Sequence, residues 1–364
     1  MKSDNQFNQL LYYIGFSYCL GIGPMKFASL KSHFGTAKNA YLANQNQIKP
    51  VLGTSLTEKF IEFRRKFDPI KELERLNKDK IRVLTVDDKK YPESLKNISD
   101  PPICLYIKGS IPDSSIFFAI VGTRKPTSYG IQITKKFSRE LVEAGFVIVS
   151  GMALGIDTIA HEETIENGGK TIAVLGSGVN VIYPSSNYRL YHRIIKTGGA
   201  VVSEFPPNQF VLKGLFISRN RIISGLSRGV LIAEGGEFSG ALITAKYAGI
   251  QGKDVFAIPS PINSEMASAP NLLIKQGAKM VTSTQDILDE FGMQVTPKRK
   301  EDIREKLNDL EKLIFDILIK NPQTVDYLAL KLHKTASQIL NIVSLMEING
   351  IIEKNIEKNY QIKI

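Results

Sequence analysis

Cysteine and histidine are scarce in this chain. Cys19 and Cys104 are its only cysteines, and neither belongs to a Cys-x-x-Cys pair or a Cys/His array. That spacing supports neither a disulfide framework nor a zinc site, and both thiols read as small buried hydrophobes. Three of the four histidines, His33, His192 and His333, stand in no nucleophilic or metal-ligand arrangement. No motif calls for a metal or a cofactor. Long apolar runs are missing too. None approaches the roughly 18 residues that a membrane-crossing helix needs, and the opening MKSDNQFNQLLYY lacks a basic-then-apolar signal pattern. These absences predict a cytoplasmic protein with no membrane insertion.

A basic tail is absent as well. The 364 residues carry a formal charge of +11, which favours a polyanionic partner. Residues 1–113, 114–292 and 298–364 contribute +6, +3 and +2, so any electrostatic grip has to come from local placement on folded surfaces. What is plentiful is apolar content: at 43% hydrophobic the chain can bury a full core and divide into two or three domains.

From Ile116 to Phe291 short β-branched runs alternate with helical stretches, the mark of a parallel sheet covered by helices. The strand candidates are FFAIVG, FVIVSG, TIAVLG, AVVSEF, VLIAEG, DVFAIP and AKMVTS, each apolar on both faces as a buried parallel strand must be. Helices are predicted near 130–144, 156–167, 187–197, 219–227, 240–251, 270–276 and 284–291. The fold class is α/β, a Rossmann-like doubly wound and mostly parallel sheet. Ahead of it, residues 1–80 form a helical SAM/helix-hairpin-helix-like domain. Its LGIGPMKFASLKSHFG is read either as a phosphate-gripping hairpin or as a tight turn that needs Gly21 and Gly23. Residues 81–113 look like a β-rich connector within an extended sheet domain spanning 81–292. A polar linker covers 293–304, and 305–364 reads as three helices and a hairpin, a winged helix. Its third helix, Thr335 to Gly350, contains no Arg or Lys, so a protein-contact role stands beside DNA reading.

The sharpest local signal is AIVGTRKPTSYG at residues 119–130. Gly122 lets backbone approach a ligand, and Arg124 sits where a strand ends at the carboxyl edge of the sheet, the binding edge of open α/β folds. A planar guanidinium there suits phosphate. An isolated Gly-x-Arg is better read as a turn with a salt bridge. Three more glycine-bearing loops follow at the same edge: SGMALGIDTIAH with Ser150, Gly151 and Gly155, then VLGSG, then AEGGEFSGALITA with Gly240. Together they put several helix N-termini and their N–H donors around one crevice. FVLKGLFISRNRIISGLS adds Lys213, Arg219 and Arg221 as cations and Phe216 as a ring. Cations plus a stacking ring suit single-stranded nucleic acid, although Phe216 taken alone reads better as a core residue.

These motifs, together with TIAVLGSGVNVIYPSSN and VFAIP in that order, resemble the DprA (Smf) family of DNA-processing proteins over residues 110–292. The resemblance implies a dimeric, non-catalytic protein. It would bind single-stranded DNA, protect incoming strands in natural transformation and load the RecA recombinase. It also implies Arg124, within Gly122-Thr123-Arg124, as a phosphate contact, and Lys213 and Phe216 as strand contacts. Gly240 to Ala245 matches the recombinase region, and the segment around Ile262 the self-association surface. Two departures stand out: Thr123 replaces the usual serine of Gly-Ser-Arg, and AIPSP at 257–261 stands where members usually have Pro-Gly.

The rival reading is a nucleotide-cleaving phosphoribohydrolase, because Glu234 to Gly240 is similar to its Gly-Gly-x-Gly-Thr loop. This loop has an extra residue, and ALITAKYAG after it lacks the carboxylate that glycosidic cleavage requires. A dehydrogenase fits less well, since no GxGxxG follows the first strand and the second ends in Ser150 rather than an acid. Asp157 and His161 are read either as a catalytic pair with Glu162 nearby or as an ordinary helix pair four residues apart.

Overall fold

The computed structural model describes residues 2–112, 116–293, 304–305, 307–355 and 359–362, with side chains of the first helix described from Gln9 onward. Two compact units divide the chain, Met1–Gln294 and Val295–Ile364. Apart from Met293 and Arg304–Glu305, the expected linker and the start of the last domain to residue 306 lie outside the described residues.

The first unit is built on a nine-stranded sheet. Its strands are β1 (Arg82–Thr85), β2 (Cys104–Gly109), β3 (Ile116–Val121), β4 (Phe146–Ser150), β5 (Thr171–Val174), β6 (Ala200–Ser203), β7 (Gly229–Ile232), β8 (Asp254–Ala257) and β9 (Lys279–Met280). They lie in the order β1-β2-β6-β5-β4-β3-β7-β8-β9. Strands β3 to β9 are parallel, whereas β2 runs antiparallel to β6 and β1 antiparallel to β2. The fold is therefore the Rossmann-like, mostly parallel sheet expected from the alternating pattern. Within the span read as a connector, 81–113, β1 and β2 are stitched into that sheet as its antiparallel edge.

Period-two alternation assigns each strand residue to a face. Val121, Val149, Val174, Val202 and Ile232 point to one side, where the helices Lys213–Leu226 and Gly240–Ile250 cover them. Phe118, Ile148, Leu231 and Phe256 point to the other side, under the helices Ser128–Glu143, Ile156–Glu166 and Thr284–Glu290. Six helices fill residues 2–78, with Phe16, Phe27, Tyr41 and Phe60 packed ring on ring at their centre. The sequence reading sets residues 1–80 apart, but their apolar cluster is continuous with Tyr106, Ala173 and Val201 of the sheet. The Ser17 hydroxyl also bonds the Tyr106 hydroxyl at 2.5 Å. The helical region is thus a cover for one end of the second face.

Two helices beside the sheet start at side-chain caps. Thr127 caps Ser128–Glu143 through Gly130 N–H, and Ser239 caps Gly240–Ile250 through Ala241 N–H. Lys213–Leu226, like Ile156–Glu166 and Tyr188–Lys196, has no side-chain cap, and it begins six residues ahead of its expected start at 219. Its N-cap, Leu212, has an extended backbone and no side-chain acceptor, so no cap signal marks it. In the second unit three helices, Asp309–Leu318, Val325–Leu332 and Ala336–Ile348, precede the antiparallel pair β10 (Ile352–Lys354) and β11 (Tyr360–Ile362). They enclose Phe315, Leu328, Val343, Met346 and Tyr360. Among the described residues no helix is long and apolar enough to cross a membrane.

His161 lies inside the first unit. Thr171 donates its hydroxyl proton to Ile148 O at 2.6 Å, so His161 Nδ1–H is the donor in its 2.6 Å bond to Thr171 Oγ1. Burial presses the imidazole down to about 3, and the Arg219 charge adds to the effect. The folded state therefore holds the ring neutral where the unfolded chain protonates it. Stability contributed by His161 is complete above about pH 6.5 and falls as pH drops toward 3, by up to ~1.4 kcal/mol per pH unit. Urea unfolding across that window is expected to show a steeper loss for the natural chain than for His161→Gln; parallel curves would contradict it.

Candidate functional site

The chain proceeds outward from β3 through β4 and β5 to β6, then returns to the opposite side of β3 as β7. Loops leaving β3 and β7 therefore diverge and open a crevice at their carboxyl ends, the place where open α/β sheets bind ligands. A cleft of about 800 Å³ occupies it. Its walls include Gly122, Thr123, Arg124, Lys125, Tyr183, Lys213, Phe216, Arg219, Phe238 and Gly240.

A buried carboxylate sets this geometry. Glu234, at the end of β7, accepts Thr127 N–H at 2.9 Å and the Thr127 hydroxyl at 2.6 Å. Its backbone carbonyl accepts Thr123 N–H at 2.8 Å, and Thr123 O accepts Ile156 N–H at 3.1 Å. Three loops are thereby held in one frame. Gly122 is required at this crossing, because a Cβ there would stand 2.6 Å from Ile156 Cγ1 and 2.8 Å from Glu234 O. Gly155, at φ +79, is required by its left-handed backbone. The Thr123 hydroxyl accepts Lys125 N–H at 3.2 Å, so the exchange of serine for threonine keeps the hydroxyl that shapes the turn.

The cations separate into two groups. Arg124, Lys125 and Lys213 are exposed along the cleft, and among the described residues none has an acidic partner at salt-bridge distance. The Arg124 guanidinium lies 5.8 Å from the centre of the Phe216 ring, and Tyr183 packs against the same ring at 5.5 Å. Phe216 is only half buried, in the first turn of its helix. It therefore presents a ring to the cleft and is not a core residue.

Arg219 forms the floor. It is buried, donates from Nη1 to Gly151 O at 2.6 Å and to Val174 O, and donates from Nε to Asn220 Oδ1 at 3.1 Å. Burial presses its guanidinium down to about 10, while the nearby Asp157 pulls it back up. Asp157 accepts Gly151 N–H at 3.1 Å and Ala153 N–H at 3.3 Å, and burial pushes its carboxyl up against the pull of Arg219. It is the only carboxylate among the described residues lining the cleft. Those bonds make it a brace for the loop after β4.

Three expected contacts need correction. Arg221 is 3% exposed and faces away from the cleft, with Nε on Asp100 at 2.8 Å and Nη2 on Glu204 at 2.6 Å. Two residues apart on a helix, Arg219 and Arg221 point in nearly opposite directions, so they cannot share a groove. Ser150 is fully buried and donates to Ile120 O at 2.7 Å. Gly151 is also buried, because its missing Cβ makes room for Arg219. Conversely, Tyr183, Lys125 and Phe238, the last 94% exposed, were not singled out from sequence although each lies within a quoted motif.

The segment after β8 leaves Ile262 97% exposed. Ser260, in place of a glycine, has no positive φ, and Asn271 clasps its backbone from both sides at 3.3 and 3.0 Å. The turn therefore does not need glycine. Among the described residues no group of three or more His, Cys, Asp or Glu could hold a metal ion.

Against known proteins, a sequence model for DNA recombination-mediator protein A matches residues 82–292. Protein Smf of Synechocystis sp. is 39% identical over 292 residues, which cover 77% of this chain and 72% of that protein. The X-ray structure of DNA processing protein A (DprA) from Streptococcus pneumoniae superposes with a TM-score of 0.67 at 36% identity, covering 78% of this chain and 97% of that one. DNA processing protein A from Helicobacter pylori, described for its single-stranded DNA binding mode, gives 0.53 at 32% identity over 58% of this chain and 95% of its own. The sheet and the cleft at its switch point both lie within the matched span, and the chain belongs to the DNA recombination-mediator protein A family, whose members are named DprA and Smf.

Proposed function

We propose that this chain binds single-stranded DNA without chemically altering it, gripping phosphates with Arg124, Lys125 and Lys213 and stacking bases on Phe216, Tyr183 and Phe238. The observation that carries this reading is the set of exposed cations, without acidic partners among the described residues, beside exposed or half-buried rings in one cleft. Phosphate needs such cations, and a ring accepts any base, so the grip is independent of sequence. The single-stranded DNA binding mode described for the Helicobacter pylori relative supports the same ligand class. In this reading the protein acts in the cytoplasm during natural transformation, protects incoming strands and loads RecA through the region Gly240 to Ala245. It pairs with a second copy through the exposed segment around Ile262. The helices of residues 304–362 serve protein contact or regulation, in keeping with the absence of Arg and Lys from 335–350.

Against the nucleotide-cleaving alternative, the one carboxylate among the described residues lining the cleft, Asp157, accepts two backbone N–H groups. Incubation with nucleoside monophosphates is expected to release no base above a protein-free control. Release would favour the hydrolase.

Three substitutions separate grip, stacking and scaffold. Arg124→Ala is expected to flatten the salt dependence of single-strand affinity by about 0.7 in log–log slope, the loss of one phosphate contact. Phe216→Ala is expected to cost roughly 1–3 kcal/mol of binding with the slope unchanged. Arg221→Ala leaves Glu204 buried without its cation and is expected to lower unfolding stability by about 3–5 kcal/mol. Unchanged affinity and slope in Arg124→Ala, measured by filter binding, would refute the site.

A further inference from the structure

We propose that the strand path does not end in the cleft but continues past Tyr183 along the exposed face of the helix Tyr188–Lys196. This rests on the single-stranded DNA reading above. Between Glu166 and Glu204 the chain carries no acidic residue, and the helix YRLYHRIIK lies within that stretch. Leu190, Tyr191 and Ile194 of this helix are buried, while Tyr188, Arg189, His192, Arg193 and Lys196 are exposed. Those five positions follow i, i+1, i+4, i+5 and i+8, which is one continuous face of a helix. None of its Arg or Lys side chains has an acidic partner at salt-bridge distance among the described residues. On the neighbouring helix, Ile156–Glu166, Glu163 is buried and paired with Lys135 at 4.0 Å, and among the described residues neither it nor Glu162 or Glu166 stands at salt-bridge distance from the stripe.

The stripe adjoins the cleft. Tyr183 touches Phe216 at one end of the segment. Four residues later Asn187 anchors the chain by donating to Met152 O at 2.9 Å and Thr158 Oγ1 at 2.8 Å. The next residue, Tyr188, is 58% exposed, with its ring 4.5 Å from that of His192. A strand leaving the stacked rings of the cleft thus meets a second exposed ring and then three cations along a helix about 13 Å long. Alternating rings and cations are what an unpaired strand binds, whereas a duplex keeps its bases stacked inside.

The test uses the full chain and two labelled oligothymidylates, one of about 6 nucleotides that fills only the cleft and one of about 20 that reaches the helix. The triple variant Arg189→Ala/Arg193→Ala/Lys196→Ala alters exposed side chains only, and a matching unfolding curve verifies its fold. It is expected to bind the short oligonucleotide as the natural chain does, and to lose about 2 in salt slope on the long one, at about 0.7 per phosphate contact. Arg124→Ala is expected to weaken both. If the triple variant binds both lengths like the natural chain while Arg124→Ala weakens both, the extended path is overturned and the cleft stands. Equal weakening of the triple variant on both lengths also overturns it, because the charges then act as a general field. If the natural chain binds neither oligonucleotide, the functional reading and the path fail together.

Discussion

The carboxylate of Glu234 is the contact on which the cleft depends. Its two oxygens hold Thr127 by backbone and hydroxyl, and its carbonyl holds Thr123. The loop that carries Arg124 is therefore suspended from the strand on the other side of the switch point. In a parallel sheet the crevice at that point exists because connections diverge, and divergence alone would leave its walls loose. Glu234 closes one wall on the other, and Gly122 and Gly155 let the backbones meet. The side chain is buried with both oxygens bonded, so it shapes the cleft from beneath its surface.

The basic residues divide by the same logic. Arg219 ties the carbonyls that end β4 and β5, and Arg221 ties Asp100 to Glu204 across the antiparallel edge of the sheet. Both are structural cations whose charge is answered inside the protein. Arg124, Lys125 and Lys213 have no acidic partner at salt-bridge distance among the described residues, and they stand beside exposed or half-exposed rings. Net charge predicts none of this. A charge of +11 indicates that some anion is a plausible partner, and only the pairing of each side chain shows which charges remain to meet it.

Much of this was legible in the sequence. All seven parallel strands of the sheet were visible as apolar runs, and the glycine loops at their ends marked the binding edge. What escaped had specific causes. The helix Lys213–Leu226 begins without a capping side chain, so Lys213 and Phe216 read as loop residues when they form its first turn. Arg219 and Arg221 look equivalent in ISRNRIIS and differ only by the 200° that two helical residues subtend. Residues 81–113 looked like a connector because two short strands joined through only the single-turn helix Glu93–Lys96 carry no parallel signature, yet β2 adds to the sheet antiparallel to β6. Glu234 was visible as one acid in a glycine loop, and its role appears only when the loops are seen together.

The central claim is that unpaired strands lie in the cleft with their bases on Phe216 and Tyr183. Photocrosslinking a short iodouracil-containing oligonucleotide to the full chain, followed by mass spectrometry of the adducts, tests it most directly. Adducts on Phe216, Tyr183 or Phe238 are the result required. Adducts confined to residues 304–362, or to the hairpin around Gly21 and Gly23, would contradict it.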